Sequence, residues 1–174
     1  MLSRIRQVMS ALTARIGAEE RQWINQYLTV NEQQLFWGMS VADQRHALNV
    51  AYSALRLAES NAVSVTLLLR CALLHDVGKV SGDISTIDKI IAVLVSSFVP
   101  EWAQSWGKPG KGSRYQNLRH AFYVHFYHPQ RSAQLLTDAG TEARIIDIVQ
   151  KHHKTPAGDD PPELIILRKA DAAN

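Results

Sequence analysis

A chain of 174 residues with 46% hydrophobic and 20% charged side chains suits one domain with a core of its own and excludes intrinsic disorder. Its single cysteine, Cys71, excludes an internal disulfide and a paired-thiolate zinc site, and fits a reducing, cytoplasmic setting. A net charge of +3 admits an anionic partner without calling for nucleic acid. Met1–Ile16 holds no continuous apolar run of the signal-peptide kind, and Ile84–Val99 is interrupted by Asp88 and Lys89, so no membrane partner is expected.

Helical periodicity dominates, and strand-like alternation between hairpin turns is absent. Ser3–Ile16 and Glu19–Leu28 read as amphipathic helices divided near Gly17. Asn31 with Gln34 resembles a capping box, and Ser40 with Asp43 an N-cap opening a helix to about Ala58. Ala62–His75 is apolar almost all round, which predicts a central buried helix, with Gly78 placed to end it in a left-handed conformation. Ile84–Val99 is a further helix stopped by Pro100, and Gly107–Gly112 is a loop that its glycines would let act as a lid. A helix over Arg114–Tyr127 follows. Pro129 suits the first turn of another, Gly140 its end, and Thr141 the start of a helix to His153. Pro162 to about Ala172 forms the last. The expected architecture is an all-α, compact single-domain bundle, with residues 1–40 as a helical extension packed on a metal-binding domain over 41–174.

Chemistry concentrates at His75-Asp76-Val77-Gly78-Lys79, where two metal-competent side chains end the most apolar helix. An unpaired carboxylate buried there would cost several kcal/mol, roughly, so something positive must compensate it. Four further places carry similar donors: His46 among Ala and Leu, His128 before Pro129, His152-His153 at a helix end, and Asp171 near the C-terminus. Each alone has a plain structural reading: a core histidine, an N-terminal cap, helix-end cations and a surface charge. His125 shares a helix face with His128 and reads as support for it or as packing. His120 reads as structural or substrate-side, and Trp23, Trp37, Trp102 and Trp106 as core or interface anchors.

The ordered set His46, His75-Asp76, His128, His152-His153, Asp171 resembles the HD-domain (HDIG-type) metal-dependent phosphohydrolases over about Val41 to Asp171. The resemblance implies one metal site from His46, His75, Asp76 and Asp171. It implies that Asp76 bridges to a second metal, held by His128 with His152, His153 or both. The donor set of imidazole and carboxylate suits divalent Fe, Mn, Co, Ni or Zn, with Mg a further candidate. The implied activity is hydrolysis of a phosphomonoester or phosphodiester, nucleotides among the candidates, by attack of a metal-activated hydroxide. Asp76 and Lys79 would be catalytic, and Lys79, Lys111, Arg114, Arg119 and Arg131 are candidates for substrate phosphate. One subgroup of the family follows its paired histidines with Glu and Gly-Tyr-Pro; here Lys154-Thr155-Pro156 stands instead, which weighs against cyclic dinucleotide hydrolysis. Two other readings stay open: a di-iron oxygenase of the same fold, and a metal- or nucleotide-binding sensory module. Homo-oligomerisation stays open as well.

Overall fold

The computed structural model describes residues 15–59 and 63–174, so the expected helix over Ser3–Ile16 lies almost wholly outside the described residues. Among the described residues the fold is all-α: α1 Ala18–Tyr27, α2 Val30–Trp37, α3 Val41–Ala58, α4 Val65–Leu74, α5 Thr86–Phe98, α6 Pro100–Trp106, α7 Arg114–Asp138, α8 Ala143–Lys151 and α9 Pro162–Ala172. A single antiparallel bridge, Met39 to Val80, joins the segments that enter α3 and leave α4.

Helix α4 is the centre, in contact with α1, α2, α3, α8 and α9. Leu67, Leu68, Leu69, Cys71, Ala72, Leu73 and Leu74 are all buried in it, because an apolar sequence with no polar face has to be covered all round. Ser64 caps its start by accepting the Leu67 N–H at 3.4 Å. Its one charged residue, Arg70, reaches 2.7 Å to Glu32, which is fully buried. Glu32 also accepts Thr29 N–H at 3.0 Å and the Thr141 hydroxyl at 2.9 Å, and so ties the starts of α2 and α8 to the central helix. A smaller core, built on Ala92, Ala103, Ala121 and Phe122, joins α5, α6 and α7.

Four local expectations are corrected. The capping box of α2 is Thr29 with Glu32, not Asn31 with Gln34: Thr29 has the extended backbone of a cap, while Asn31 lies in the first turn and donates to Ala139 O at 3.1 Å. Pro100 does not only stop a helix; it also occupies the first turn of α6, where its missing N–H is harmless. Pro129 does not separate two helices: α7 runs unbroken for 25 residues with Pro129 inside it. Gly78 is not left-handed, since the glycines with positive φ are Gly82, Gly110, Gly112 and Gly140. It is needed for close approach instead, because a Cβ there would stand 2.5 Å from His128 O and 2.8 Å from Ser132 N. Gly140, with φ 74°, does end α7 as expected.

Trp23 and Trp37 pack on the main core and Trp106 on the smaller one, while Trp102 is half exposed. No helix among the described residues is long and apolar enough to cross a membrane.

Replacing the buried Glu32 leaves Arg70 with Glu142 alone, 3.7 Å away and more than half exposed. Glu32→Gln is therefore expected to lose on the order of 3 kcal/mol of stability in urea unfolding. An unchanged midpoint would show that the junction of α2, α4 and α8 does not depend on this pair.

Candidate metal centre

Five elements deliver the donors to one place: α3 brings His46, the end of α4 brings His75 and Asp76, the middle of α7 brings His128, the end of α8 brings His152 and His153, and α9 brings Asp171. All seven residues singled out from the sequence as metal ligands are gathered here. Their donor atoms form three overlapping triples, each within 4.8 Å: His46, His75 and Asp76; His75, His152 and Asp171; His128, His152 and His153.

The ring orientations follow from one repeated bond. His75 Nδ1 lies 2.8 Å from Ala72 O, His128 Nδ1 2.8 Å from His125 O, and His152 Nδ1 2.6 Å from Val149 O. A carbonyl only accepts, so in each ring Nδ1 carries the proton and Nε2 presents its lone pair. The carbonyls have room for this bond for different reasons. Those of Ala72 and Val149 stand at helix ends, where the regular i+4 bonds run out; Val149 O takes only a long 3.5 Å bond from His152 N–H besides. The carbonyl of His125 takes no bond from residue 129, four positions on, because that residue is a proline without an N–H. The proline that seemed to break the helix is what lets His128 turn back on it.

His75 Nε2, His128 Nε2, His152 Nε2 and Asp76 Oδ1 are buried and find no hydrogen-bond partner among the described residues. Each such atom is expensive, and four in one cluster is far from ordinary. All four are acceptors, so they cannot satisfy one another, and a cation satisfies them together. The site thus fits a divalent metal on its own geometry. Asp76 Oδ2 lies 3.4 Å from His75 Nε2 and 3.8 Å from His46 Nε2, while its Oδ1 faces His128 Nε2 at 3.2 Å. Asp171 Oδ1 is 3.0 Å from His46 Nε2 and 3.7 Å from His75 Nε2.

Protonation states agree with ligation. Burial holds the His152 imidazolium down to about 3 and that of His128 well below its usual range. Burial would raise the Asp76 carboxyl, but Lys79 first, and then the surrounding histidines, bring it well below the ordinary carboxylate value. Near neutral pH His128 and His152 are therefore neutral imidazoles and Asp76 is an ionised carboxylate, the forms that bind metal.

The HD turn is fixed from outside. Ser132 on α7 donates to His75 O at 3.0 Å and accepts Gly78 N–H at 2.8 Å, so one hydroxyl clamps both ends of the segment that carries Asp76.

The candidate phosphate contacts divide. Lys79 Nζ sits 2.8 Å from Asp76 Oδ2, at the edge of the cluster. Lys111 is 2.7 Å from Asp83, which Arg131 also pairs with. Arg119 donates to Trp106 O at 3.0 Å and lies over the Trp106 and Tyr115 rings. Arg114 is exposed at the start of α7, roughly 20 Å along the helix from His128. The structure does not bring Arg114 or Arg119 to the metal cluster. Nor is the Gly107–Gly112 loop free to swing, since Lys108 N bonds Arg119 O at 3.2 Å, Gly110 N bonds His120 Nδ1 at 3.2 Å and Lys111 bonds Asp83. His120 in turn donates from Nε2 to Asp83 at 3.0 Å, a structural role. His125 lends its carbonyl to His128.

Three residues beside the site were not singled out from the sequence. Asp43 lies one turn before His46 on the same face of α3, a spacing that could have shown it. It pairs with Lys89 of α5, and Asp43, Lys79 and Lys89 line one small cleft. The third, Asp83, offers no local sequence cue, because its partners come from α7 and the loop before it.

A family model, the HD domain, matches residues 44–173, an interval that contains every donor from His46 to Asp171. The chain belongs to the HD domain family. Proteins of this family bind divalent metals, and most are metal-dependent phosphohydrolases, which places this HD domain with the hydrolases in general. No curated protein and no solved structure matches the chain.

Burial would raise the Asp83 carboxyl, yet hydrogen bonds from Lys111, Arg131 and His120 hold it down to about 2. A carboxyl lower in the folded than in the unfolded chain contributes stability above its unfolded value, near 3.8, and loses it as pH falls toward about 2. Asp83→Asn is expected to cost on the order of 1 kcal/mol at pH 7. The difference from the parent chain should shrink between pH 4 and pH 2, roughly. A deficit that is flat across that range in urea unfolding would show that Asp83 acts through packing and not through its charge.

Proposed function

We propose that this HD domain is a metal-dependent phosphohydrolase that cleaves a phosphomonoester or phosphodiester of a small molecule, nucleotides among the candidates. The observation that carries the reading is the division of Asp76: one carboxylate oxygen faces His46 and His75, the other faces His128. A carboxylate so placed is suited to join two ions, one with His46, His75 and Asp171, the other with His128, His152 and His153. Divalent ions bound there supply Lewis acidity toward a phosphoryl oxygen and a lowered pKa for water.

The chain's own residues do the rest. His75, His128 and His152 are locked at Nδ1 and spend no reorganisation when they ligate. His46, Asp171 and His153 are more exposed and form the open side, toward which a phosphate ester approaches. Lys79 supplies a fixed positive charge next to Asp76, placed to meet the phosphate as negative charge builds on it. Lys89, which shares two clefts with Lys79, extends that positive lining. Hydrolysis needs no more than water and this charge balance: a P–O bond to the ester oxygen breaks as one to water forms.

Protein purified without air is expected to hold about two equivalents of metal by mass spectrometry. Asp76→Ala should lose at least tenfold in metal affinity and nearly all turnover of bis(p-nitrophenyl) phosphate or p-nitrophenyl phosphate with added Mn²⁺. Full turnover by Asp76→Ala would sink the reading. Bound iron with oxygen uptake and no ester cleavage would transfer the site to oxygenase chemistry, and bound nucleotide without turnover would make it a sensor.

A further inference from the structure

We propose that the outer face of α5 and α6 docks on an anionic lipid bilayer. Helix α5 is amphipathic in the ordinary sense on one side only: Asp88, Ala92 and Ser96, at steps of four, are its buried residues. The opposite side, which should be polar, carries Ile87, Ile90, Leu94 and Phe98 at steps of three and four. Ile87 is 61% exposed, Leu94 48%, Phe98 82%, and Trp102, on the adjoining α6, 52%. With Val99, 47% exposed, these side chains form a run of large apolar groups left open to solvent, the kind of surface that marks an interaction site.

What lies next to the patch selects the partner. The Trp102 ring stacks on Trp106 at 5.4 Å, and Trp106 meets Tyr115 edge-on at 5.4 Å. Exposed Lys108 and Arg114 flank those rings in sequence, and Lys111 lies between them. Along the chain the order is aliphatic on α5, aromatic on α6, then cationic in the loop that follows. That is the order of a bilayer from acyl chains through the interface to anionic headgroups. On α5 and α6, Glu101 is the one exposed acidic side chain, so the face offers little to repel such headgroups. A second copy of the chain would supply an apolar face but the same basic loop, and like charge would meet like. The expectation of no membrane partner came from the want of a spanning segment, which says nothing of a protein lying on the surface.

The test uses the full chain and sedimentation with vesicles of phosphatidylcholine, alone or with about a third phosphatidylglycerol. Binding is expected with phosphatidylglycerol, at least tenfold weaker without it, and weakened by salt. The double variant Leu94→Ser with Phe98→Ser alters exposed residues only, so it should keep the parent's circular dichroism melt and lose at least tenfold in binding. Lys108→Glu with Arg114→Glu should lose a similar factor. No binding to either vesicle overturns the proposal, as does binding unchanged in the Leu94 and Phe98 variant. A dimer by light scattering that this variant dissolves, with no vesicle binding, would assign the face to a second copy and also overturn it. None of these readouts depends on phosphohydrolase activity.

Discussion

The structure turns on a hydrogen bond that is made three times: an imidazole Nδ1–H to the backbone carbonyl three residues earlier. It settles the tautomer, the ring direction and the identity of the free donor atom in one step. It also demands a carbonyl from which the regular i+4 helical bond is missing or displaced. Two of the three come from helix ends, where free carbonyls are unavoidable, and the third from a proline in mid-helix. The fold supplies a buried acceptor cluster by placing two helix ends and one helix defect around a common point. The energetic consequence is an assembly with unsatisfied acceptors at its centre, tolerable in a stable protein only because a cation belongs with it.

Ser132 and Gly78 show how closely α7 must approach for this to work. The HD turn lies so near α7 that a single methyl group at residue 78 would meet its backbone. The same contact lets the Ser132 hydroxyl hold both His75 O and Gly78 N. Asp76 lies between these two clamped points, so its carboxylate is aimed by backbone geometry and not by a flexible side-chain choice. The glycine of the motif thus serves packing, and the lysine after it serves charge.

Much of this could be read in the sequence, for reasons that differ by residue. The central helix α4 was legible because seven of its ten residues have no polar alternative to burial. The seven candidate ligands were legible only as an ordered set, through its resemblance to the HD family, since each residue alone has a plain structural reading. Pro129 was misread because local rules place proline at helix starts. Only the long-range packing of α7, on α5 and α8 together, shows that the helix continues through it. Gly78 was misread for a related reason: a glycine at a helix end and a glycine under a neighbouring helix look alike in one dimension. Arg119 was offered as a phosphate contact from its charge alone, whereas its place is set by Trp106. Asp83 was invisible because three partners scattered over the chain give it its role. Local chemistry was readable; which residue meets which across helices was not.

Helix α5 joins two of these themes. Its inner side borders the site, where Lys89 pairs with Asp43 one turn from His46 and where Ala92 and Val93 line a cleft with Lys79. Its outer side is the stripe of Ile87, Ile90, Leu94 and Phe98. A helix of 13 residues is too short to flex along its length, so a force on one side is carried to the other as a rigid shift. Its buried inner residues, Asp88, Ala92 and Ser96, are small or short, and it rests on α7 through a core whose largest buried member is Phe122. That packing is lighter than the packing around α4, so a shift of α5 costs less than a shift of the central helix. Docking of its outer face on a bilayer would bear directly on the position of Lys89, and through Asp43 on the turn that carries His46.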